Sequence, residues 1–126
     1  MFLADGFEET EALAPYDMIK RAGLPVVTVG IGSDFVTGTK GVTVKTDLTE
    51  DEIDLTTCQG VILPGGMPGT ENLYSSNTVK NCVSFCAENG LMIAAICAAP
   101  SIPGRMSLLK NRTAVCFPGF EDKLIG

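Results

Sequence analysis

The chain contains no histidine and no tryptophan in its 126 residues. Without histidine, no Cys–His or Ser–His dyad can be made within the chain. A zinc site of the usual Cys/His kind loses half of its donors as well, and no Cys-x-x-Cys spacing occurs to replace them. Positive charge is also scarce, with 9 Lys and Arg against 15 Asp and Glu and a net charge of −6. Only Lys20-Arg21 and Lys110-Asn111-Arg112 form small basic groups. Nucleic acid is therefore not expected as the main partner, since phosphate backbones are bound by clustered Lys and Arg. No apolar run is long enough to span a bilayer, so no membrane partner is expected. Asp5, Glu8, Glu9 and Glu11 stand where a secretion signal would need basic residues and then an apolar core, and a cytoplasmic location follows as the expectation. A P-loop, internal repeats and low-complexity segments are missing too.

What remains is the composition of a globular chain, 45% hydrophobic with a mean hydropathy of +0.27. Its length fits one domain over residues 1–126. The five cysteines are Cys58, Cys82, Cys86, Cys97 and Cys116, an odd count that does not read as a disulfide framework. Cys82 and Cys86 lie four apart on a helical segment and share a face, where core packing is favoured over a metal or redox pair. Cys58 and Cys116 read as structural thiols.

Short apolar strands alternate with helical segments. Phe2-Leu3-Ala4 ends a first strand, and Glu8 to Ala22 reads as a helix with acidic residues in its first turn, where they suit the dipole. Its apolar set is Leu13, Tyr16, Met18 and Ile19. Gly23 stops it, and Pro15 predicts a kink or break within it. Pro25–Ile31 is a valine-rich strand. Phe35–Thr46 reads as a hairpin with Val42 and Val44 turned inward, and Thr49–Glu52 opens a short helical turn. Gly60–Leu63 is a buried strand, and Thr78–Asn89 a helix. Leu91–Ile96 is a further strand, Ala99–Leu109 begins as a helix, and Thr113–Phe117 is a last strand. This alternation is the signature of a parallel α/β sheet.

In such sheets, sites form at the carboxyl ends of strands, and three strand ends here carry unusual residues. The first strand leads into Asp5-Gly6-Phe7-Glu8-Glu9-Thr10-Glu11, and the Gly60–Leu63 strand into Pro64-Gly65-Gly66-Met67-Pro68-Gly69. The third leads into Cys97, with Ala95 and Ala99 two positions away on each side and Pro100 placed for the first turn of a helix. That is a nucleophile elbow with Cys for Ser and Ala for Gly. A thiol at a helix N-terminus is expected to have a depressed pKa. The N–H groups of Gly65, Gly66 and Ala98 offer an oxyanion hole beside the sulfur. Each feature also has a plainer reading: a buried cysteine is commonly a small hydrophobe, a helical glutamate is commonly solvated, and Gly-Gly after a strand is commonly a turn. Glu8 and Glu9 read as surface residues that compensate the dipole.

The segments GFEETEA, VILPGGMPGTENL and MIAAICAAPSI, in that order, resemble the ThiJ/PfpI family, in the branch that contains the Parkinson disease protein deglycase and its bacterial relatives. The likeness runs from Phe2 to about Lys123. It implies a flavodoxin-like three-layer sandwich with a mostly parallel sheet, of the class I glutamine amidotransferase-like kind, and a homodimer. It implies Cys97 as the nucleophile, Glu11 as the protonated glutamate that hydrogen-bonds its sulfur, and Gly66 and Ala98 as backbone donors. Phe117 takes the place of a loop histidine common in the family. It lines the pocket mouth with Pro118 or merely packs. The protease-like branch has histidine where this chain has Ala98, which speaks against a peptidase. Family chains begin earlier and continue further, so truncation at both ends is expected, or completion by a partner chain. No cofactor and no metal are expected. The function implied is a cysteine-dependent enzyme acting on small reactive carbonyls or glycated protein adducts, of glyoxalase or deglycase type. The alternatives are a redox sensor or holdase chaperone using the same cysteine, and the link to thiamine biosynthesis carried by the family name, for which no thiazole or phosphate site is visible.

Overall fold

The computed structural model describes residues 1–125. Strand β1 (Phe2–Leu3) pairs in parallel with β2 (Val29–Gly30), which pairs in parallel with β5 (Leu48–Thr49). Strands β6 (Gly60–Leu63) and β7 (Met92–Ala95) form a second parallel pair, in register from Gly60 opposite Met92 to Leu63 opposite Ala95. β1 and β6 lie beside one another. Side chains alternate across both: Phe2, Val61 and Leu63 enter one core cluster, while Leu3 and Ile62 enter the other. β1 and β6 are thus covered on both faces, as parallel strands require, while Met92 of β7 is exposed.

Helix α1 (Glu9–Arg21) covers one face. Its Ala12, Tyr16 and Ile19 recur at helical spacing and pack on Leu3, Phe7 and Val36. Helix α3 (Asn77–Glu88) covers the other face with Val79, Cys82, Val83 and Cys86, which all sit on one stripe. Ser76 caps α3 by accepting from the Val79 N–H at 3.2 Å. Helix α2 (Gly69–Ser75) adds Leu73 to that cluster. The wholly buried Phe2, Phe7, Leu63 and Leu73 each contribute about 1.5–3 kcal/mol of transfer free energy.

Several expectations need correction. Helix α1 runs through Pro15 without a break. Met18 is exposed and does not belong to its buried face. The hairpin of β3 (Phe35–Thr37) and β4 (Thr43–Lys45) is present, but its inward residue is Val36, with Val44 half-buried opposite it and Val42 exposed. The helix expected over Ala99–Leu109 is only α4 (Ser101–Arg105). Ser107 adopts a left-handed φ of 58°, and Leu108 N–H bonds back to the Pro103 carbonyl at 3.0 Å, which closes the helix early. The strand expected over Thr113–Phe117 does not form. Its Val115, Cys116 and Phe117 suit a strand, but the segment stands away from β7. A groove of about 420 Å³ lies between them, lined by Leu91, Ile93, Ala95, Leu108 and Val115.

Candidate active site

Cys97 follows β7 at a φ of 62°, the left-handed region that L-residues avoid. Ile96 N–H reaches the Leu63 carbonyl at 3.3 Å, so the strand is held up to the residue before the turn. Ala99 N–H then bonds the Ile96 carbonyl at 3.0 Å, which closes the turn beneath the cysteine. Ala98 and Ala99 are buried, and only small side chains fit there. Holding a cysteine in this conformation costs about 1–2 kcal/mol. The surrounding fold stabilises it, and the sulfur is lifted out of the sheet as the elbow pattern requires.

Glu11 projects from the first turn of α1. Its Oε2 accepts the Gly65 N–H at 2.8 Å. Glu8 N–H donates to the Gly65 carbonyl at 2.9 Å, so the start of α1 and the loop after β6 are tied at two points. Both glycines are sterically required. A Cβ on Gly65 would lie 2.6 Å from Glu11 Oε2 and 2.7 Å from Cys97 Cβ. Gly66 has a φ of 96°, and a Cβ there would lie 2.5 Å from the Glu8 nitrogen.

The Glu11 carboxyl and Cys97 flank Gly65 from two sides, and the Glu11 carboxyl and the Ala98 and Gly66 N–H groups all act on the thiol. Burial pushes the thiol pKa up from its ordinary value of 9.0. The Glu11 charge and hydrogen bond add to the rise, and the two N–H groups oppose it without overcoming it. The expected depression is therefore reversed. The dipole argument fails because α4 starts only at Ser101 and has five residues.

The structure brings Cys97, Glu11, Gly65, Gly66 and Ala98 together, but Gly65 differs in role. Its N–H is already engaged by Glu11, which leaves Gly66 and Ala98 as the donors facing the sulfur. Phe117 is joined to the elbow through its backbone, whose N–H donates to the Cys97 carbonyl at 2.7 Å. The Phe117 and Pro118 side chains are exposed.

Glu9 was expected on the surface and is instead buried. Its Oε1 accepts the Lys40 N–H at 2.6 Å and its Oε2 the Thr39 hydroxyl at 3.1 Å, so it clamps the hairpin onto α1. Burial opposes its ionisation, but the hydrogen bonds from Lys40, Thr39 and Val42 outweigh burial and hold its carboxyl below 4.5. Asp5 assists by accepting the Thr37 N–H at 2.9 Å. Among the described residues, the one grouping of side chains suited to a metal ion is Cys58, Cys82 and Cys86, which does not include Cys97.

Residues 1–126 match the DJ-1/PfpI family. The chain belongs to this family. DJ-1 homolog B of Arabidopsis thaliana is 36% identical over 124 residues, which are 97% of this chain and 28% of that protein. The chain thus spans less than a third of that relative's length. A deglycase of Pyrococcus abyssi is 30% identical over 122 residues, 97% of this chain and 73% of the relative. The solved structure of oxidized Toxoplasma gondii DJ-1 superposes with a TM-score of 0.92 at 32% identity, covering 99% of this chain and 71% of that one. The parallel sheets and four helices accordingly take the flavodoxin-like, class I glutamine amidotransferase-like form of DJ-1/PfpI proteins.

Proposed function

We propose that this DJ-1/PfpI chain is a cysteine-dependent enzyme acting on reactive carbonyls, of glyoxalase or deglycase type. The observation that carries the reading is the convergence of Glu11 and Cys97 on Gly65, with the N–H groups of Gly66 and Ala98 acting on the same sulfur. Sulfur attacks the aldehyde carbon of methylglyoxal and forms a C–S bond. The thiol proton passes to Glu11, and the developing alkoxide is held by the two N–H groups. Glu11 returns the proton to give a neutral hemithioacetal. Transfer of the carbon-bound proton to the neighbouring carbonyl carbon, again by way of Glu11, yields a thioester. Water hydrolyses the thioester to lactate and frees the thiol. The sum is addition of water to the substrate, with no external oxidant or reductant. A deglycated amine would leave by the same route, as the group displaced from an adduct carbon. A deglycase among the relatives supports this substrate class. We further propose that the chain works as a homodimer in the cytoplasm.

A second reading draws on the same geometry. The Toxoplasma relative was solved in an oxidized form, and a sulfinate at Cys97 would find two N–H groups as partners, with the Glu11 carboxyl a third donor only when protonated. Intact-mass analysis after mild peroxide tests it, and the absence of a two-oxygen adduct on Cys97 removes it. For the enzyme reading, Cys97→Ser should lower methylglyoxal turnover by at least roughly 100-fold while leaving the circular dichroism spectrum unchanged. Full turnover in that variant refutes the mechanism.

A further inference from the structure

A second group of sulfurs lies apart from Cys97. Cys82 and Cys86 stand one turn apart on α3, both buried in the core. Cys58 follows the 3-10 turn Leu55–Thr57 and is half-buried. Its Sγ lies 3.7 Å from that of Cys82 and 3.7 Å from that of Cys86, and all three sulfurs fall within 4.8 Å of one another. These are contacts between thiols, far longer than a disulfide bond of about 2.05 Å. The two spacings from Cys58 fit a different arrangement. Three sulfurs bonded to one centre at about 2.3 Å, with angles between 100° and tetrahedral, stand about 3.5–3.8 Å apart.

The surroundings narrow the choice of centre. The sulfurs belong to the cluster that includes Val79 and Val83, with Ile53, Leu55 and Leu91 packed against it. No carboxylate joins the group among the described residues, and the chain has no histidine. Calcium and magnesium require oxygen donors, and structural zinc requires a fourth ligand. Any ion that gathers three thiolates and leaves a net charge pays the cost of burying it. The chemistry that fits is a soft centre that makes three bonds to sulfur and ends uncharged.

We propose that Cys58, Cys82 and Cys86 form a binding site for trivalent arsenic, taken up as uncharged arsenous acid from the Cys58 side. Each of three S–H bonds is exchanged for an As–S bond, and each arsenic hydroxyl leaves with a thiol proton as water. One arsenous acid and three thiols thus give one As(SR)₃ group and three waters, with arsenic trivalent throughout. The reactants are thiols rather than thiolates, which suits a cluster packed among Val79, Val83 and Leu91. Cys58 gives up its 3.2 Å bond to the Gly60 carbonyl on binding.

The test uses the full chain carrying Cys97→Ser and Cys116→Ser, so that no other thiol competes, and sodium arsenite as the probe. Intact mass counts the bonds: three As–S bonds add one arsenic and remove three hydrogens, whereas two bonds leave a hydroxyl on the arsenic. The three-bond adduct at one equivalent, three sulfurs around arsenic by X-ray absorption, and a rise in melting temperature are expected. Adding Cys58→Ser should abolish the three-bond adduct. A two-bond adduct, no adduct, or a three-bond adduct that survives Cys58→Ser overturns the proposal. Should Cys58→Ser fail to fold, the arsenic coordination number and the melting shift of the parent variant decide alone. Stoichiometric displacement of arsenite by zinc or by cuprous ion overturns the choice of centre.

Discussion

The left-handed backbone at Cys97 makes a prediction about stability that runs against the usual rule. At most positions glycine is less stable than alanine by about 0.5–1 kcal/mol, because it loses more backbone freedom on folding. Cys97 has a φ of 62°, where a side chain costs about 1–2 kcal/mol. Cys97→Ala and Cys97→Gly both delete the sulfur, so their difference isolates the backbone. Relief of about 1–2 kcal/mol, less the glycine entropy of about 0.5–1 kcal/mol, leaves Cys97→Gly more stable by roughly 0.5–1 kcal/mol. For a chain of this size that corresponds to a melting temperature higher by roughly 2–4 °C. Urea denaturation and a thermal scan measure it. Ala14→Gly serves as the control, since Ala14 is exposed within α1 and the same change there should destabilise by about 1 kcal/mol. A Cys97→Gly protein equal to or less stable than Cys97→Ala would show that the elbow is not strained.

Three further outcomes follow from the charges. Glu11→Gln removes the negative charge that helps hold the Cys97 thiol up, so iodoacetamide should alkylate Cys97 several-fold faster at neutral pH while methylglyoxal turnover falls; slower alkylation contradicts the assignment. Glu9 has a folded pKa below its ordinary 4.5, so its contribution to stability is complete above about pH 4.5 and is lost as the pH falls through the folded value; Glu9→Gln should be less stable at neutral pH and show a shallower loss in acid, read by urea midpoints across pH 2.5–7. Glu71 pairs with Arg105 at 2.9 Å and Lys123 at 3.2 Å, and Arg105 stacks on Tyr74 at 3.5 Å; because Glu71 is partly open to solvent, Glu71→Gln should cost about 1 kcal/mol or less, yet trypsin should cut after Lys123 faster, and unchanged cleavage would mean the pair does not hold that segment.

The parts of the site that were legible in the sequence are local. Gly60–Leu63 and Leu91–Ile96 are short apolar runs, and both become parallel strands, although Met92 and Ile96 of the second are exposed rather than buried. The turn after each carries its own markers, Gly65-Gly66 in one and small residues around Cys97 in the other. What escaped depends on contacts across the chain. Glu9 is a first-turn acid like Glu8, and only the hairpin returning thirty residues later makes it a buried clamp. The Gly65 N–H is equally available in sequence to substrate or to Glu11, and three-dimensional placement gives it to Glu11. Cys58 lies 24 residues from Cys82, so no helical spacing connects them. Thr113–Phe117 has the composition of a strand, but a strand needs a neighbour to pair with. Val42 and Val44 share a face by alternation, yet Val42 stands before β4 begins and is exposed, while Val36 sits opposite Val44 and faces inward.

The reversed pKa of Cys97 bears on which chemistry the site serves. Peroxide reacts with thiolate, so a thiol held above its ordinary pKa oxidises slowly at neutral pH. Carbonyl addition has a different requirement. The sulfur must lose its proton as the C–S bond forms, and the new alkoxide must then gain one. A thiol that keeps its proton until attack, with a carboxyl in hydrogen-bond contact to take it, meets both needs within one pair of side chains. Burial and the Glu11 charge slow the first reaction, while the same carboxyl serves the second. The two N–H groups do not separate the readings, since an alkoxide and a sulfinate would both accept from them. Glu11 does separate them: its charge restrains the thiolate that oxidation needs, and its proton transfer is what carbonyl turnover needs. Neutralising it should therefore speed oxidation and slow turnover, and a variant in which both fall would favour the peroxide reading.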